Sequence, residues 1–187
     1  DYIYAKHYLK NFVRTFPKSK YSEECAFLSA NCSYIRSPKF SLDQAETNIA
    51  INDFQFFLES YPTTNLRDSC NKIMNELEDK LALKDYESAK LYFNIGNYKS
   101  AVIVLNHLLL DYPNSTYEED VRFTILKASY LLATNSVEKK KNERLEQTIK
   151  AYQNYIDKFA KSKRASQAES LYKSTLKEIE SSKNNTI

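Results

Sequence analysis

Glycine and proline are scarce in this sequence, and their scarcity excludes several classes of fold. The 187 residues include 1 Gly and 4 Pro, whereas average composition would supply about 22 of the two together. Sandwiches, barrels and dinucleotide-binding folds need glycine where the backbone takes positive φ or approaches a phosphate. The sequence therefore predicts an all-α protein.

Long apolar runs and a strong charge of one sign are also absent. No apolar stretch approaches the roughly 18 residues that a bilayer-spanning helix requires. The net charge of +3, with acids and bases interspersed, is too small for a nucleic-acid-binding surface. The aromatic content lies in 15 Tyr and 10 Phe with no Trp, and such flat side chains suit repeated contacts between helices. We expect a soluble helical protein without a nucleic-acid partner.

The sequence offers few residues for catalysis or metal binding. Cys25, Cys32 and Cys70 are odd in number and lack C-x-x-C spacing, which indicates small core residues instead of a disulfide framework or a zinc site. His7 and His107 each lie alone on a predicted helix, without the partners that a metal site or a nucleophile pair requires. One glycine cannot form a phosphate-binding loop. We predict no catalytic, cofactor-binding or metal-binding residues.

Four segments share one spacing of a small residue, two large residues and an aromatic residue. Steps of 4, 3 and 4 residues follow the helical period, so each set forms one stripe of an amphipathic helix. The small residue allows close approach of a neighbouring helix. Proline ends the first three segments, and Ala160 stands in its place in the fourth. The stripes are Ala5, Leu9, Phe12, Phe16; Ala50, Phe54, Phe57, Tyr61; Ala101, Leu105, Leu108, Tyr112; and Thr148, Tyr152, Tyr155, Phe159.

The third segment resembles the tetratricopeptide (TPR) consensus. Gly96, the only glycine, falls where one helix of the pair passes to the next, a position that favours positive φ. We therefore predict a TPR-like α-solenoid of helix hairpins, forming one array over residues 1–187. The residues that match the consensus are Ala89, Tyr92, Gly96, Tyr98, Ala101, Leu105 and Pro113.

The same patterns predict the positions of the helices. Ser115 and Glu118 have the spacing of a capping box at the start of the sixth helix, and residues 65–95 form one long helix. A basic run, residues 139–141 with Arg144, falls in an insertion before the seventh helix; it indicates a solvated loop or, alternatively, a patch for nucleic acid or lipid headgroups. The predicted helices lie near 1–16, 20–36, 42–61, 65–95, 98–112, 116–134, 144–160 and 163–182.

The repeats are longer than plain TPR repeats. Measured at the prolines and at Ala160, they are 45, 51 and 47 residues apart, against about 34 for the plain repeat. These spacings, together with the sequences of three segments, resemble the BamD family, the TPR lipoproteins of the outer-membrane β-barrel assembly machine. The three segments are residues 37–44, 50–62 and 86–98. The resemblance begins at that family's second repeat. We expect a trimmed or mature product, because the sequence has no initiator Met or signal peptide and Asp1 falls inside a helical pattern. The lipid-bearing cysteine and the first helices of the family are missing from this sequence.

The resemblance implies a non-catalytic scaffold on the periplasmic side of the outer membrane. It implies that the C-terminal repeats bind the POTRA domains of the barrel-forming subunit BamA, and that other lipoproteins of the machine are partners. Unfolded outer-membrane proteins would contact the N-terminal part, and membrane contact would come only from an N-terminal lipid absent from this chain. The alternative is a periplasmic adaptor of the Tol-Pal type, which has similar Tyr-Pro endings but more regular spacing.

Two groups of residues are candidates for partner binding. The first lies on the long helix and faces the predicted groove; it offers an apolar surface for a peptide or a partner domain, or else is covered by a neighbouring helix. The second lies on the sixth helix and offers exposed charges of both signs, which suit a polar interface. The first group is Leu83, Tyr86, Lys90 and Phe93, and the second is Glu118, Glu119, Arg122 and Lys127.

Overall fold

The computed structural model describes residues 1–184, and within that range all regular secondary structure is helical. Consecutive helices pack against each other in a TPR-like repeat fold, so the prediction of an all-α repeat protein is confirmed. The eight helices are α1 (Tyr2–Thr15), α2 (Ser22–Arg36), α3 (Ala45–Ser60), α4 (Arg67–Asn94), α5 (Tyr98–Asp111), α6 (Glu118–Thr134), α7 (Glu138–Phe159) and α8 (Ala165–Asn184).

The chain divides into two compact units. Unit 1, Asp1–Lys84, contains α1, α2, α3 and the first part of α4. Unit 2 begins at Asp85 and contains the remainder of α4 and helices α5 to α8. The single array proposed over residues 1–187 stays a prediction.

The largest difference from the predicted helix boundaries lies at α7. This helix begins at Glu138, not near residue 144, so the basic run of residues 139–141 belongs to its first turn. Lysine is a good helix former, and the amide of Lys141 donates to the carbonyl of Val137 at 3.1 Å. The Lys141 ammonium also pairs with Glu178 of α8 at 2.8 Å. Helix propensity and this ion pair together extend α7 into the predicted insertion.

The same turn follows α1, α3, α5 and α7. The amide of a Ser or Thr donates to the carbonyl of the aromatic residue three positions earlier, at 3.0–3.2 Å. The hydroxyl of that Ser or Thr accepts from the amide two positions later, at 2.9–3.3 Å, in a local side-chain turn. Ala160 keeps the turn without proline because its φ of −56° matches the proline value. The pairs are Phe16–Ser19, Tyr61–Thr64, Tyr112–Ser115 and Phe159–Ser162.

The capping box predicted at Ser115 is wrong. Helix α6 begins at Glu118, and Tyr117 precedes it without a capping side chain. The Ser115 hydroxyl accepts from the Tyr117 amide at 3.2 Å, so it serves the turn and not the helix. The Glu118 carboxylate points instead to Arg122, at 2.7 Å. Short hydroxyl side chains form such turns as readily as helix caps, and spacing alone does not separate the two.

The positive φ predicted at Gly96 is confirmed. Gly96 has a φ of 78° and follows the last turn of α4. The Asn97 amide donates to the Tyr92 carbonyl at 2.9 Å, and the Gly96 amide to the Phe93 carbonyl at 3.1 Å, which together form a Schellman motif. The Asn97 side chain then caps α5 by accepting from the Ser100 amide at 3.3 Å. One glycine thus ends one helix and positions the start of the next.

Three of the four predicted stripes supply core residues. Phe54 and Phe57 are buried in unit 1 with Ala30 and Cys70, and the ring of Phe27 lies 6.1 and 5.7 Å from their rings. The stripes of α5 and α7 are also largely buried, including Ala101, Leu105, Leu108, Thr148 and Tyr155. The first stripe differs, because α1 has no fully buried residue.

A carboxylate joins the first three helices of unit 1. Asp53 of α3 accepts hydrogen bonds from Lys6 and Lys10 of α1, at 2.5 and 3.0 Å, and from Ser33 of α2, at 2.6 Å. Burial acts to raise the pKa of Asp53, but these three hydrogen bonds outweigh it and hold the pKa below its usual value. The ionised carboxylate therefore stabilises the packing of α1 on α2 and α3.

Two adjacent phenylalanines provide a matched test of the core. Phe57 is 2% exposed and Phe56 is 69% exposed. We expect Phe57→Ala to lower the free energy of unfolding by about 3–5 kcal/mol, because it leaves a cavity, and Phe56→Ala to change it by only about 0.5 kcal/mol. Urea unfolding monitored by circular dichroism measures both. Equal losses in the two variants would contradict the assignment of the core.

The Asp53 network predicts a dependence of stability on pH. A carboxyl whose pKa is lowered by folding stabilises the protein above its unfolded pKa, and that stabilisation disappears as pH falls through the folded pKa. We expect Asp53→Asn to reduce stability by roughly 1–3 kcal/mol at neutral pH and to flatten the loss of stability on acidification. Glu59→Gln removes the same charge from an exposed position of α3 and serves as control. Parallel pH profiles for wild type and Asp53→Asn would refute the role of Asp53.

Candidate protein-interaction surface

The second half of α4 presents three of the predicted binding residues on one stripe. Tyr86, Lys90 and Phe93 are four and three residues apart, so they lie on the same side of the helix, and all three are half-buried. The Lys90 ammonium bonds both carboxylate oxygens of Glu87, at 2.8 and 3.0 Å. It also lies 5.4 Å from the centre of the Tyr86 ring, and the hydrogen bonds to Glu87 raise the pKa of Lys90.

Helix α6 and the turn before it contact this stripe. The Tyr86 hydroxyl lies 3.2 Å from the Thr124 hydroxyl, and the Tyr86 ring stacks on that of Tyr117 at 6.4 Å. The Lys127 ammonium lies 5.5 Å from the centre of the Phe93 ring. A neighbouring helix therefore covers part of the stripe, as the second of the two alternatives from the sequence predicted. The remaining part is open to solvent.

The Glu118 carboxylate is held between two cations. It accepts from Arg122 at 2.7 Å and from Lys158 of α7 at 2.7 Å. Burial acts to raise the pKa of Glu118, but the hydrogen bonds from Lys158 and Arg122 outweigh it and hold the pKa below its usual value. The Arg122 side chain is only 20% exposed, which corrects the expectation of an exposed charge. Its cation is committed to an ion pair within unit 2.

The Glu119 carboxylate is tied to the turn between α7 and α8. It accepts a hydrogen bond from the Ser162 hydroxyl, and the Tyr155 hydroxyl lies 3.1 Å from both groups. Tyr155 is fully buried, and burial, followed by the neighbouring Glu119, raises its pKa against the opposing effect of Ser162. Glu119 thus stabilises the fold of unit 2 and presents little free charge.

Lys127 and Arg164 share one aromatic ring. The Lys127 ammonium lies 5.9 Å from the centre of the Phe123 ring, and the Arg164 guanidinium carbon lies 5.4 Å from it. Arg164 also donates through Nη1 to Asp120 at 2.5 Å, a bond that raises its pKa. Lys127 is exposed, and among the described residues no carboxylate lies within ion-pair distance of it.

These contacts define a cluster of cations and aromatic rings that we call the cation–aromatic face. The Phe123 ring lies beneath its cations and is only 9% exposed. Of the eight residues proposed from the sequence, Tyr86, Lys90, Phe93 and Lys127 belong to it. Glu118, Glu119 and Arg122 lie on the same helix α6 but serve internal ion pairs and hydrogen bonds, and Leu83 lies in unit 1. The face consists of Tyr86, Lys90, Phe93, Phe123, Lys127 and Arg164.

Sequence reasoning missed Phe123 and Arg164. Phe123 precedes Lys127 by four residues, a spacing that places both on one side of α6, so this contact could have been found. Arg164 lies in the turn before α8, and its position beside Asp120, 44 residues earlier, has no signal in the local pattern. Tertiary packing alone brings the second cation to the face.

The other polar candidates remain separate from this face. His7 pairs with Asn11 at 2.8 Å, and His107 is exposed on α5. Within residues 1–184, no group of three or more His, Cys, Asp and Glu side chains is placed to hold a metal ion. None of the helices in that range is long and apolar enough to cross a membrane.

Comparisons with known proteins point to one family. A family model described as "YfiO: Outer membrane lipoprotein" matches residues 1–145. The chain is 26% identical over 149 residues to a protein of Aquifex aeolicus (strain VF5) named "Putative outer membrane protein assembly factor BamD". That alignment covers 80% of this chain and 48% of the relative, so the chain spans about half the length of the curated protein it matches.

The different environments of Arg122 and Lys127 predict different costs of charge reversal. Arg122→Glu places a second carboxylate beside Glu118, and we expect it to lower the free energy of unfolding by roughly 1.5–3 kcal/mol. Lys127→Glu loses only exposed cation–π contacts, worth about 0.5–1 kcal/mol. Urea unfolding at neutral pH measures both variants. A larger loss for Lys127→Glu than for Arg122→Glu would refute the pairing described for Glu118.

Proposed function

Because the chain belongs to the family of outer membrane lipoproteins described as YfiO, we propose that it is a scaffold for β-barrel assembly in the bacterial outer membrane. The observation that carries the proposal is the family match over most of the chain, together with the assembly-factor name of the Aquifex relative. The scaffold would hold partner proteins during assembly and insertion of barrel proteins. The family places the protein at the outer membrane, on its periplasmic side.

The proposed principal partner is the barrel-forming subunit of the assembly machine, bound through its periplasmic POTRA domains. Unit 2 supports this proposal because it combines half-buried aromatic side chains with charges of both signs, a composition that suits a moderately polar protein interface. Phe93 and Lys127 provide an aromatic ring and an exposed cation on adjacent helices. Other lipoproteins of the machine are proposed as further partners.

Unfolded barrel proteins are the second proposed class of partner, and unit 1 is the proposed region of contact. Tyr4 and Tyr8 are four residues apart on α1, 64% and 70% exposed. An exposed pair of aromatic rings on one side of a helix can pack against apolar side chains of an extended chain. Their exposure supports a role in binding instead of in packing within the chain.

The proposed role is non-catalytic and uses no cofactor. The carboxylates that unit 2 gathers are committed to structural contacts, with Glu118 held by Arg122 and Lys158 and with Glu119 bonded to Ser162. A scaffold needs only that these contacts keep its binding surface in place. The alternative is a periplasmic adaptor of the Tol-Pal type, favoured by the Tyr-Pro endings at Tyr61 and Tyr112 and disfavoured by the long, uneven repeat spacing.

Co-purification from solubilised outer membranes tests the proposal. The full-length, membrane-anchored protein should recover the barrel-forming subunit, and its depletion should reduce the amount of folded barrel protein in the outer membrane. An unrelated lipoprotein with the same affinity tag controls for recovery through the membrane alone. Recovery of Pal or peptidoglycan enzymes, with normal barrel levels after depletion, would favour the adaptor and overturn the proposed scaffold.

A further inference from the structure

We infer that the cation–aromatic face of unit 2 binds an acidic segment of a partner protein, with two carboxylates of that segment paired to Lys127 and Arg164 around the Phe123 ring. The inference rests on the proposed scaffold function, because it identifies the chemistry by which a partner is held. The acidic ligand goes beyond the family of outer membrane lipoproteins and the assembly-factor role of the relative, neither of which specifies a ligand.

The one cation of the face without an ion pair in the described part of the chain, Lys127, favours an anionic ligand. Three cations lie on it, Lys90, Lys127 and Arg164, and two neighbouring carboxylates are paired with Lys90 and Arg164, at 2.8 and 2.5 Å. Lys127 has no such partner among the described residues, and it is exposed to solvent. One positive charge on the face therefore remains available to a carboxylate from outside.

The Phe123 ring brings the two proposed contact cations together. The Lys127 ammonium and the Arg164 guanidinium both lie within 6 Å of its centre, at 5.9 and 5.4 Å. Like charges this close repel each other. Asp120 pairs with Arg164 and also acts on Lys90, and Glu119 acts on Arg164, but neither carboxylate forms an ion pair with Lys127. Arg164 uses its Nη1 atom for Asp120, and a guanidinium carries five N–H donors in all. Donors therefore remain for a second carboxylate beside the one on Lys127.

The rings also prepare the lysine for binding. The Lys127 ammonium lies between Phe93 of α4 and Phe123 of α6, at 5.5 and 5.9 Å from their centres. These contacts restrict the side chain before any ligand arrives, so binding loses less rotamer entropy than at an unrestrained surface lysine. A purely apolar ligand fits poorly, because it would remove water from both cations without supplying an anion.

Peptide binding to the purified 187-residue chain tests the inference. The probe is a fluorescent peptide of about twelve residues with several Glu among Ser, Thr and Val, beside versions in which Gln or Lys replaces every Glu. We expect saturable binding of the Glu peptide, weaker binding at higher salt and no binding of the Gln peptide. Absence of saturable binding of the Glu peptide up to about 1 mM, or equal binding of the Gln peptide, overturns the inference.

Charge reversal locates the site. Lys127→Glu should weaken binding of the Glu peptide about ten-fold, as expected for the loss of about 1.4 kcal/mol, and should gain binding of the Lys peptide. Lys150→Glu makes the same change of charge at an exposed position of α7 and should leave affinity within about two-fold. Thermal unfolding checks that both variants are folded. Equal weakening by the two variants would show a general effect of net charge and overturn the assigned site.

Vesicle binding distinguishes an acidic protein segment from anionic lipid as the ligand of the face. Co-purification distinguishes failure of the inference from failure of the proposed scaffold function. Binding to phosphatidylglycerol vesicles that depends on Lys127, without binding of the Glu peptide, would assign the face to anionic lipid and overturn the inference. Recovery of the barrel-forming subunit and of the other lipoproteins of the machine by full-length Lys127→Glu, all at wild-type levels, would overturn the inference while the scaffold function stands. Peptide binding that depends on Lys127, without recovery of any barrel-forming subunit, would leave the acidic ligand in place and contradict the scaffold function.

Discussion

The turn that follows α1, α3, α5 and α7 is the constraint on which the rest of the structure depends. Each turn uses an aromatic carbonyl and a Ser or Thr hydroxyl to end one helix and direct the next. Two of the hydroxyls also donate a second contact: Thr64 donates to Glu23 of α2 at 2.6 Å, and Ser162 donates to Glu119 of α6. In each unit, a carboxylate of one helix thus fixes the turn at the end of the next helix: Glu23 of α2 fixes the turn after α3, and Glu119 of α6 fixes the turn after α7.

This arrangement explains why few carboxylates at the start of α6 remain for a partner. Glu119 is bonded to the turn, and the same turn places Arg164, whose amide donates to the Ser162 hydroxyl at 2.9 Å, beside Asp120. Fold stabilisation therefore uses most of the acidic cluster at the start of α6. Of the three cations of the cation–aromatic face, Lys127 is the one that forms no ion pair with a described residue, and its position on two aromatic rings is the basis for proposing a role in recognition.

The helical content, the stripes and the glycine-ended hairpin could be predicted from the sequence because each depends on residues close together in the chain. Gly96 needs only its local backbone geometry, and Phe57 only the helical period. The predictions of a capping box at Ser115 and of the start of α7 were wrong because each local pattern fits two structures. The Ser115 spacing fits a turn as well as a helix cap, and the basic run before Arg144 fits a helix as well as a loop. The candidate site was predicted in part. Lys127 and Phe93 were found from their spacing, but the position of Arg164 over the same Phe123 ring as Lys127 was not.

The sequence by itself determined the fold class, the repeat pattern and three of the four stripes of the core, because the 3.6-residue period and the scarcity of glycine leave no other regular structure. Tertiary structure decided which distant groups join the local pairs of charges on α6. Arg122 and Lys127 are both basic residues of α6, five positions apart, yet one lies against Glu118 and the other lies over Phe93 and Phe123. The contacts with Glu118 and Phe123 are local, since each partner lies four residues away. Lys158 beside Glu118 and Phe93 beside Lys127 are far away in the chain, and only packing brings them there.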